Sequence, residues 1–201
     1  MRSSQPTRTG ERTMDRRTFI ASCTCALLAV ACTTTGSKDA GDPAAKRRSI
    51  DAEVTSALSK LYAQASGSRE LVAKSKGVLV FPSVVTAGFV VGGSYGEGAL
   101  RMGGHTEGYY STVAGSLGLL AGAESKAVYI LFMTQEALDK FRNSSGWTAG
   151  ADASVTLVNV GADASVDTRT AQQPVVGYVL SNAGLMANLS LDGTKITKLK
   201  L

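Results

Sequence analysis

Gly77-Val78-Leu79-Val80-Phe81-Pro82 is the stretch on which the fold turns, because the period of the apolar residues changes there. Upstream, Ile50, Val54, Ala57, Leu58, Leu61, Tyr62 and Ala65 recur three or four residues apart, with Asp51, Glu53, Ser56, Lys60 and Gln64 between them. That spacing predicts a helix with one apolar face. Gly67 ends it, and Ser68 is placed to cap a shorter helix over 69–75, which Gly77 stops. Downstream the chain reads as strands. The run 78–81 is bounded by Pro82, and 88–95, 109–120 and the strongly apolar 126–133 follow. Thr134 then caps a helix over 135–142 whose packing face is Ala137, Leu138 and Phe141. After Trp147 strands are expected over 149–160, 162–167, 175–182, 185–191 and 194–199, with Asp192-Gly193 as a two-residue hairpin signal.

Glycine is dense in this strand-rich half. Within a strand it weakens the sheet unless the sheet bends or another backbone approaches closely. The expected fold is therefore α+β: a strongly curved antiparallel sheet, up to partial closure into a barrel, with N-terminal helices and one inserted helix. The hexapeptide Gly150-Ala151-Asp152-Ala153-Ser154-Val155 recurs at 161–166. Two copies do not make a repeat protein; they are expected to give neighbouring strands the same in-out pattern. Lys195, Lys198 and Lys200, set among Ile196 and Leu199, read as an edge strand showing lysines to water.

The N-terminal part has another logic. Arg16-Arg17 precedes an apolar segment, 19–31, that is shorter than the roughly 20 residues a spanning helix needs. It ends in Ala29-Val30-Ala31-Cys32, small residues directly before a cysteine. This is the layout of an export signal, and Cys32 is the expected diacylglycerol acceptor of a bacterial lipoprotein. Met14-Asp15-Arg16-Arg17-Thr18-Phe19 is a complete signal opening, so translation is expected to start at Met14. Both the twin-arginine and the general secretory route remain open. The domain organisation expected is a signal peptide over 1–31, a lipidated flexible tether over 32–45 rich in Thr, Gly, Ser and Asp, and one globular domain over 46–201. Five cations and two acids precede Cys32, which leaves 16 cations against 14 acids, a net +2 rather than the +5 of the whole chain. The basic balance belongs mostly to targeting and does not point to nucleic acid. Cys23 and Cys25 leave with the signal and Cys32 is acylated, so neither a disulfide nor a thiolate metal site is expected. Thr33 after the anchor favours the outer membrane, with the domain facing the periplasm.

Little in the chain suggests catalysis. His105, the single histidine, sits in a glycine-rich turn and has no second His or Cys with which to build a metal shell or a Cys-His pair. Gly92-Gly93-Ser94-Tyr95-Gly96 lacks the Lys-Ser/Thr ending of a phosphate-binding loop and is read as sheet curvature, with no serine nucleophile expected in it. No enzyme activity, cofactor or metal is expected. Two basic clusters are the candidate sites for lipid head groups: Lys46, Arg47 and Arg48 between tether and first helix, and Arg69, Lys74 and Lys76 around the second. Near an anionic bilayer each such cation contributes about 1 kcal/mol.

Ser75-Lys76-Gly77-Val78-Leu79-Val80-Phe81-Pro82, followed by Gly88-Phe89 and by Gly92-Gly93-Ser94-Tyr95-Gly96, resembles the opening of the SYLF domain family. Gly146-Trp147-Thr148-Ala149-Gly150-Ala151-Asp152 resembles its middle, and Gly184-Leu185 with Ser190-Leu191-Asp192-Gly193 its end. The similarity spans about 49–199 and is greater to bacterial lipoprotein members than to eukaryotic ones. Tyr109-Tyr110-Ser111 stands where many members have tryptophan and serine, and Leu119-Leu120-Ala121-Gly122 lacks a glutamine common there. The resemblance implies phospholipid binding, with phosphoinositides the ligands of eukaryotic relatives and actin binding in the yeast branch, and it attaches no catalytic residue. The expected function is a membrane-anchored, phospholipid-binding domain at the cell envelope, with anionic lipids favoured. The alternative is a structural module that meets an envelope protein and no lipid beyond its own anchor.

Overall fold

The computed structural model describes residues 42–88, 91–117, 122–158, 172–181, 184–185 and 190–201. Contacts divide the chain into Met1–Gly36 and Ser37–Leu201, and every described residue lies in the second unit. The signal, Cys32 and the tether up to 41 fall outside the described residues, as does the second hexapeptide copy.

Helix α1 runs Pro43–Gln64. It starts inside the stretch expected as tether because Asp42 is an effective cap: its carboxylate accepts from the Ala44 N–H at 2.9 Å, and Pro43 takes the first turn, where no N–H is needed. Ile50, Val54, Ala57, Leu58 and Leu61 form its buried stripe, as their spacing predicts. Helix α2, Ser68–Lys74, is entered through Gly67 at φ 75°. Ser68 is its first residue and not its cap; the hydroxyl is buried and donates to Leu61 O at 3.2 Å, tying α2 to the end of α1.

Nine strands form one curled sheet, a half-barrel, in the order β5-β9-β3-β2-β1-β4-β7-β6, with β8 on β7. They are β1 Gly77–Gly88, β2 Val91–Met102, β3 His105–Leu117, β4 Gly122–Phe132, β5 Trp147–Thr148, β6 Thr156–Leu157, β7 Val175–Ser181, β8 Gly184–Leu185 and β9 Lys195–Lys198. The helix α3, Gln135–Asn143, is inserted after β4, and Thr134 Oγ1 caps it by accepting from Ala137 N. All pairs are antiparallel except β6 with β7, which is parallel and makes the sheet mixed.

Pro82 does not end β1. The register shifts on both sides of it, between Val80 and Ser83 against β2 and between Phe81 and Val84 against β4. A bulge is where a strand tolerates proline, since no ladder bond is asked of its nitrogen. The extra residue also reverses the in-out pattern of β1. Before the bulge Val78 and Val80 pack with α1, while Leu79 and Phe81 join the α3 side; after it Val84 is on the α3 side. Gly96 and Gly98 of β2 lie opposite this bulge. A Cβ on Gly98 would fall on the carbonyl oxygen of Val80 and within 2.8 Å of the Phe81 ring. Here glycine permits close backbone approach, one of the two reasons expected for it.

The two faces carry separate cores. Under α1 and α2 lie Val80, Ala99, Tyr129, Leu131, Val176 and Tyr178. On the other face α3 packs Leu138 and Phe141 against Leu79, Leu100, Ile130, Phe132, Trp147 and Ile196. The Phe141 ring centroid is 4.9 Å from Tyr110, 4.8 Å from Phe132 and 5.8 Å from Trp147.

Three strand expectations change. Of the segment expected as a strand over 149–160, residues 149–158 are described, and only Thr156–Leu157 among them form a strand; before it Thr148 N donates to Asp152 Oδ2 at 2.6 Å and Asp152 N to Thr148 O at 2.9 Å, an aspartate turn that competes with a strand. Asp192-Gly193 turns the chain, with Thr194 N donating to Leu191 O at 3.0 Å, but among the described residues the strands on either side of it do not pair: β8 pairs with β7, and β9 with β3 and β5. With partners on both sides, β9 is not an edge strand, although Lys195 and Lys198 remain exposed.

Candidate functional site

The two basic clusters are not brought together. Lys46 and Gln64 are 18 residues apart on one helix, about 27 Å at 1.5 Å per residue, and α2 lies beyond Gln64. At the N-terminal end Lys46 Nζ pairs with Glu97 Oε1 at 2.8 Å. Arg47 donates to Leu201 O at 2.6 Å, and Arg48 lies 3.9 Å from Asp42. Arg47 and Arg48 are exposed. At the other end the Arg69 guanidinium sits 4.4 Å from the centroid of the Tyr62 ring, while Lys74 and Lys76 are exposed.

Strand register builds a surface beside the first cluster. Ser125 of β4 opposes Val85 of β1, Val85 opposes Tyr95 of β2, Tyr95 opposes Val113 of β3, and Val113 opposes Lys195 of β9. All five are exposed, with Val85 at 45%, Tyr95 at 51% and Val113 at 51%. Val91, 69% exposed, lies further out on β2. This apolar row ending in a lysine is on the α1 side of the sheet, which α1 covers only from Ile50 onward. Between the early turns of α1 and the row runs a groove of about 990 Å³, lined by Lys46, Ser49, Ile50, Glu53, Val85 and Tyr95 among others.

Glu97 organises the groove's rim. It accepts from Lys46 and, at 2.7 Å, from the Tyr95 hydroxyl. Partial burial pushes its carboxyl up, and the two hydrogen bonds outweigh this and hold it below the usual carboxylate range. The same bond to Glu97, with burial, pushes the Tyr95 phenol up to about 12. Further along α1, Asp51 accepts from Thr106 at 2.7 Å and Tyr109 at 2.9 Å, and Arg101 donates to Asp51 O and Thr55 Oγ1. These contacts fasten α1 to the β2–β3 hairpin.

His105 is exposed and is the first residue of β3 rather than part of the turn, opposite Met102. Gly92-Gly93-Ser94-Tyr95-Gly96 does have the Gly-x-Ser-x-Gly spacing, which its reading as curvature alone passes over. Its setting is not a nucleophile elbow: Ser94 is mid-strand and donates to Ala114 O at 3.3 Å. Met102 is eight residues further along β2, about 26 Å away, and His105 is opposite it. Among the described residues no group of three His, Cys, Asp or Glu is placed to hold a metal ion, and no helix is long and apolar enough to cross a membrane.

Sequence reasoning named Lys46, Arg47 and Arg48 but missed Val85, Tyr95, Val113 and Lys195. The bulge at Pro82 sets the face on which Val85 emerges, and that signal is in the sequence only as a proline inside an apolar strand.

What stands here is an α+β domain whose curled sheet presents an exposed apolar row beside a basic helix end. Residues 113–200 match the family model Ysc84, described as Las17-binding protein actin regulator. This part of the chain, from mid-β3 through β9, is therefore similar to the Ysc84 (SYLF) family, and the resemblance expected from the motifs is supported. The family is linked to lipid and actin-regulator binding. No curated protein matches the chain.

Proposed function

We propose that this is a phospholipid-binding module of the bacterial envelope, anchored through Cys32 to the outer membrane and facing the periplasm, and that it binds rather than catalyses. The observation that carries the reading is the exposed row Val85–Tyr95–Val113 ending at Lys195, next to the α1 end that carries Arg47 and Arg48. Nine residues lie between Cys32 and Asp42, and the ten chain steps reach at most about 36 Å. A lipidated Cys32 would thus hold this side of the domain close to the bilayer. The three apolar side chains are each about half exposed, so inserting them contributes on the order of 1 kcal/mol apiece, and neighbouring cations add attraction to anionic head groups.

The test is vesicle pelleting of Ser37–Leu201, a unit with both cores inside it. Phosphatidylglycerol vesicles are expected to pull the protein down in a salt-sensitive manner, and phosphatidylcholine vesicles much less. Changing Lys46, Arg47 and Arg48 together to Ala, or Tyr95 to Ser, is expected to weaken pelleting severalfold with unchanged circular dichroism. Equal, negligible pelleting with both lipids would instead favour a protein-interaction module.

A further inference from the structure

A second pocket lies toward the other end of α1, among its later turns, α2 and the β2–β3 turn. It holds about 460 Å³, within the roughly 300 to 1,000 Å³ of small-molecule sites. Leu58 and Tyr62 from α1, Val72 from α2 and Val78 from β1 give it apolar walls. Among the described residues no carboxylate lines it, and its one charged group is Arg101 of β2. That guanidinium is fixed from one side, where Nη2 donates to Asp51 O at 3.0 Å and to Thr55 Oγ1 at 2.8 Å. The Asp51 carboxylate accepts instead from Thr106 and Tyr109, and no described carboxylate forms an ion pair with Arg101. Arg101 is half-buried, and its Nε is buried without an acceptor. A charge withdrawn this far from water is normally paired, and among the described residues the protein supplies no counter-charge. Burial pushes the Tyr62 phenol up, while the positive charges of Arg69 and Arg101 pull it down, so the wall that Tyr62 forms lies in a positive field.

We propose that this pocket binds a small soluble carboxylic acid with an apolar body, the carboxylate at Arg101 and the body against Leu58, Tyr62 and Val72. A hydrogen bond between two charged groups is about twice as strong as a neutral one. Because α1 already holds the guanidinium, little ordering is left to be done when the ligand arrives. One guanidinium balances one negative charge, which selects a carboxylate over a phosphate dianion. Tyr62 is 16 residues beyond Lys46 on α1, about 24 Å at 1.5 Å per residue. The pocket is thus remote from the surface proposed to meet the bilayer, its ligand reaches it from the aqueous phase, and the site does not depend on the surface reading.

Sodium phenylacetate titrated into the labelled protein, followed by nuclear magnetic resonance, is expected to shift Leu58, Tyr62, Val72 and Arg101 saturably. Arg101→Met should weaken phenylacetate about tenfold or more, the scale of one lost hydrogen bond to a charged group. Phenethylamine, of similar shape but opposite charge, should bind more weakly than phenylacetate by about the same factor. Arg101→Met also removes two bonds that fasten α1, so a second variant separates lost binding from lost folding. Ser59 is exposed at the pocket wall, and its hydroxyl donates to Thr55 O in the same helix. Ser59→Phe leaves Arg101 in place and fills the space, and it should abolish phenylacetate binding while the urea midpoint stays at the wild-type value. Phenyl phosphate binding more tightly than phenylacetate would overturn the carboxylate assignment. Absence of saturable shifts, equal binding of phenylacetate and phenethylamine, or either variant binding phenylacetate as wild type would overturn the proposal.

Discussion

Tyr129 and Tyr178 face each other across β4 and β7, and both are 0% exposed, yet their hydroxyls have opposite fates. Tyr129 donates to Ala57 O in α1 at 2.8 Å, while the Tyr178 hydroxyl is buried without a partner. Replacing each with Phe makes a matched experiment in one core. In Tyr129→Phe the lost bond is worth about 1 kcal/mol net. The Ala57 carbonyl keeps its helical bond from Leu61 N–H, so no large penalty for a stranded acceptor is added. In Tyr178→Phe a desolvated hydroxyl is removed with nothing lost in return, and its burial cost of about 1 to 3 kcal/mol is relieved. The two variants should therefore differ by about 2 kcal/mol, Tyr129→Phe below wild type and Tyr178→Phe level with it or above. Urea unfolding of Ser37–Leu201 reads this as opposite shifts in midpoint at equal slope. If Tyr178→Phe costs as much as Tyr129→Phe, its hydroxyl is hydrogen-bonded and the reasoning fails.

The same two phenols set an alkaline limit. Burial pushes both up to about 12, with Glu70 adding to the effect at Tyr178. Below the ordinary tyrosine pKa near 10 both states keep these protons and stability is full; above it the unfolded chain loses them first, so stability should fall by about 1.4 kcal/mol per pH unit for each tyrosine until the folded pKa is reached. Urea midpoints at pH 9, 10 and 11 check this, and either Phe variant should show a shallower decline than wild type. Gly98→Ala places a methyl on the Val80 carbonyl at the bulge and is expected to cost about 1 to 3 kcal/mol, as overpacking does; a thermal midpoint equal to wild type would mean the bulge can move aside freely. Cys32→Ala is expected to release the full chain from the detergent phase and to abolish palmitate labelling, and unchanged labelling would refute the lipoprotein reading.

What the sequence determined by itself is what local physics decides. The 3.6-residue stripe from Ile50 to Leu61, the Thr134 cap of α3 and the apolar run that became β4 were all legible, because each depends on neighbours within a turn or two. The basic cluster at Lys46, Arg47 and Arg48 was legible as well, since charge needs no partner to be seen. The tertiary structure decided the rest. Pro82 read alone is a strand stop, and only flanking strands on both sides convert it into a bulge, because two ladders outweigh one residue without an N–H. The bulge reverses the faces of β1, and that reversal puts Val85 in line with Tyr95, Val113 and Lys195, residues far apart in the chain whose alignment is a property of register.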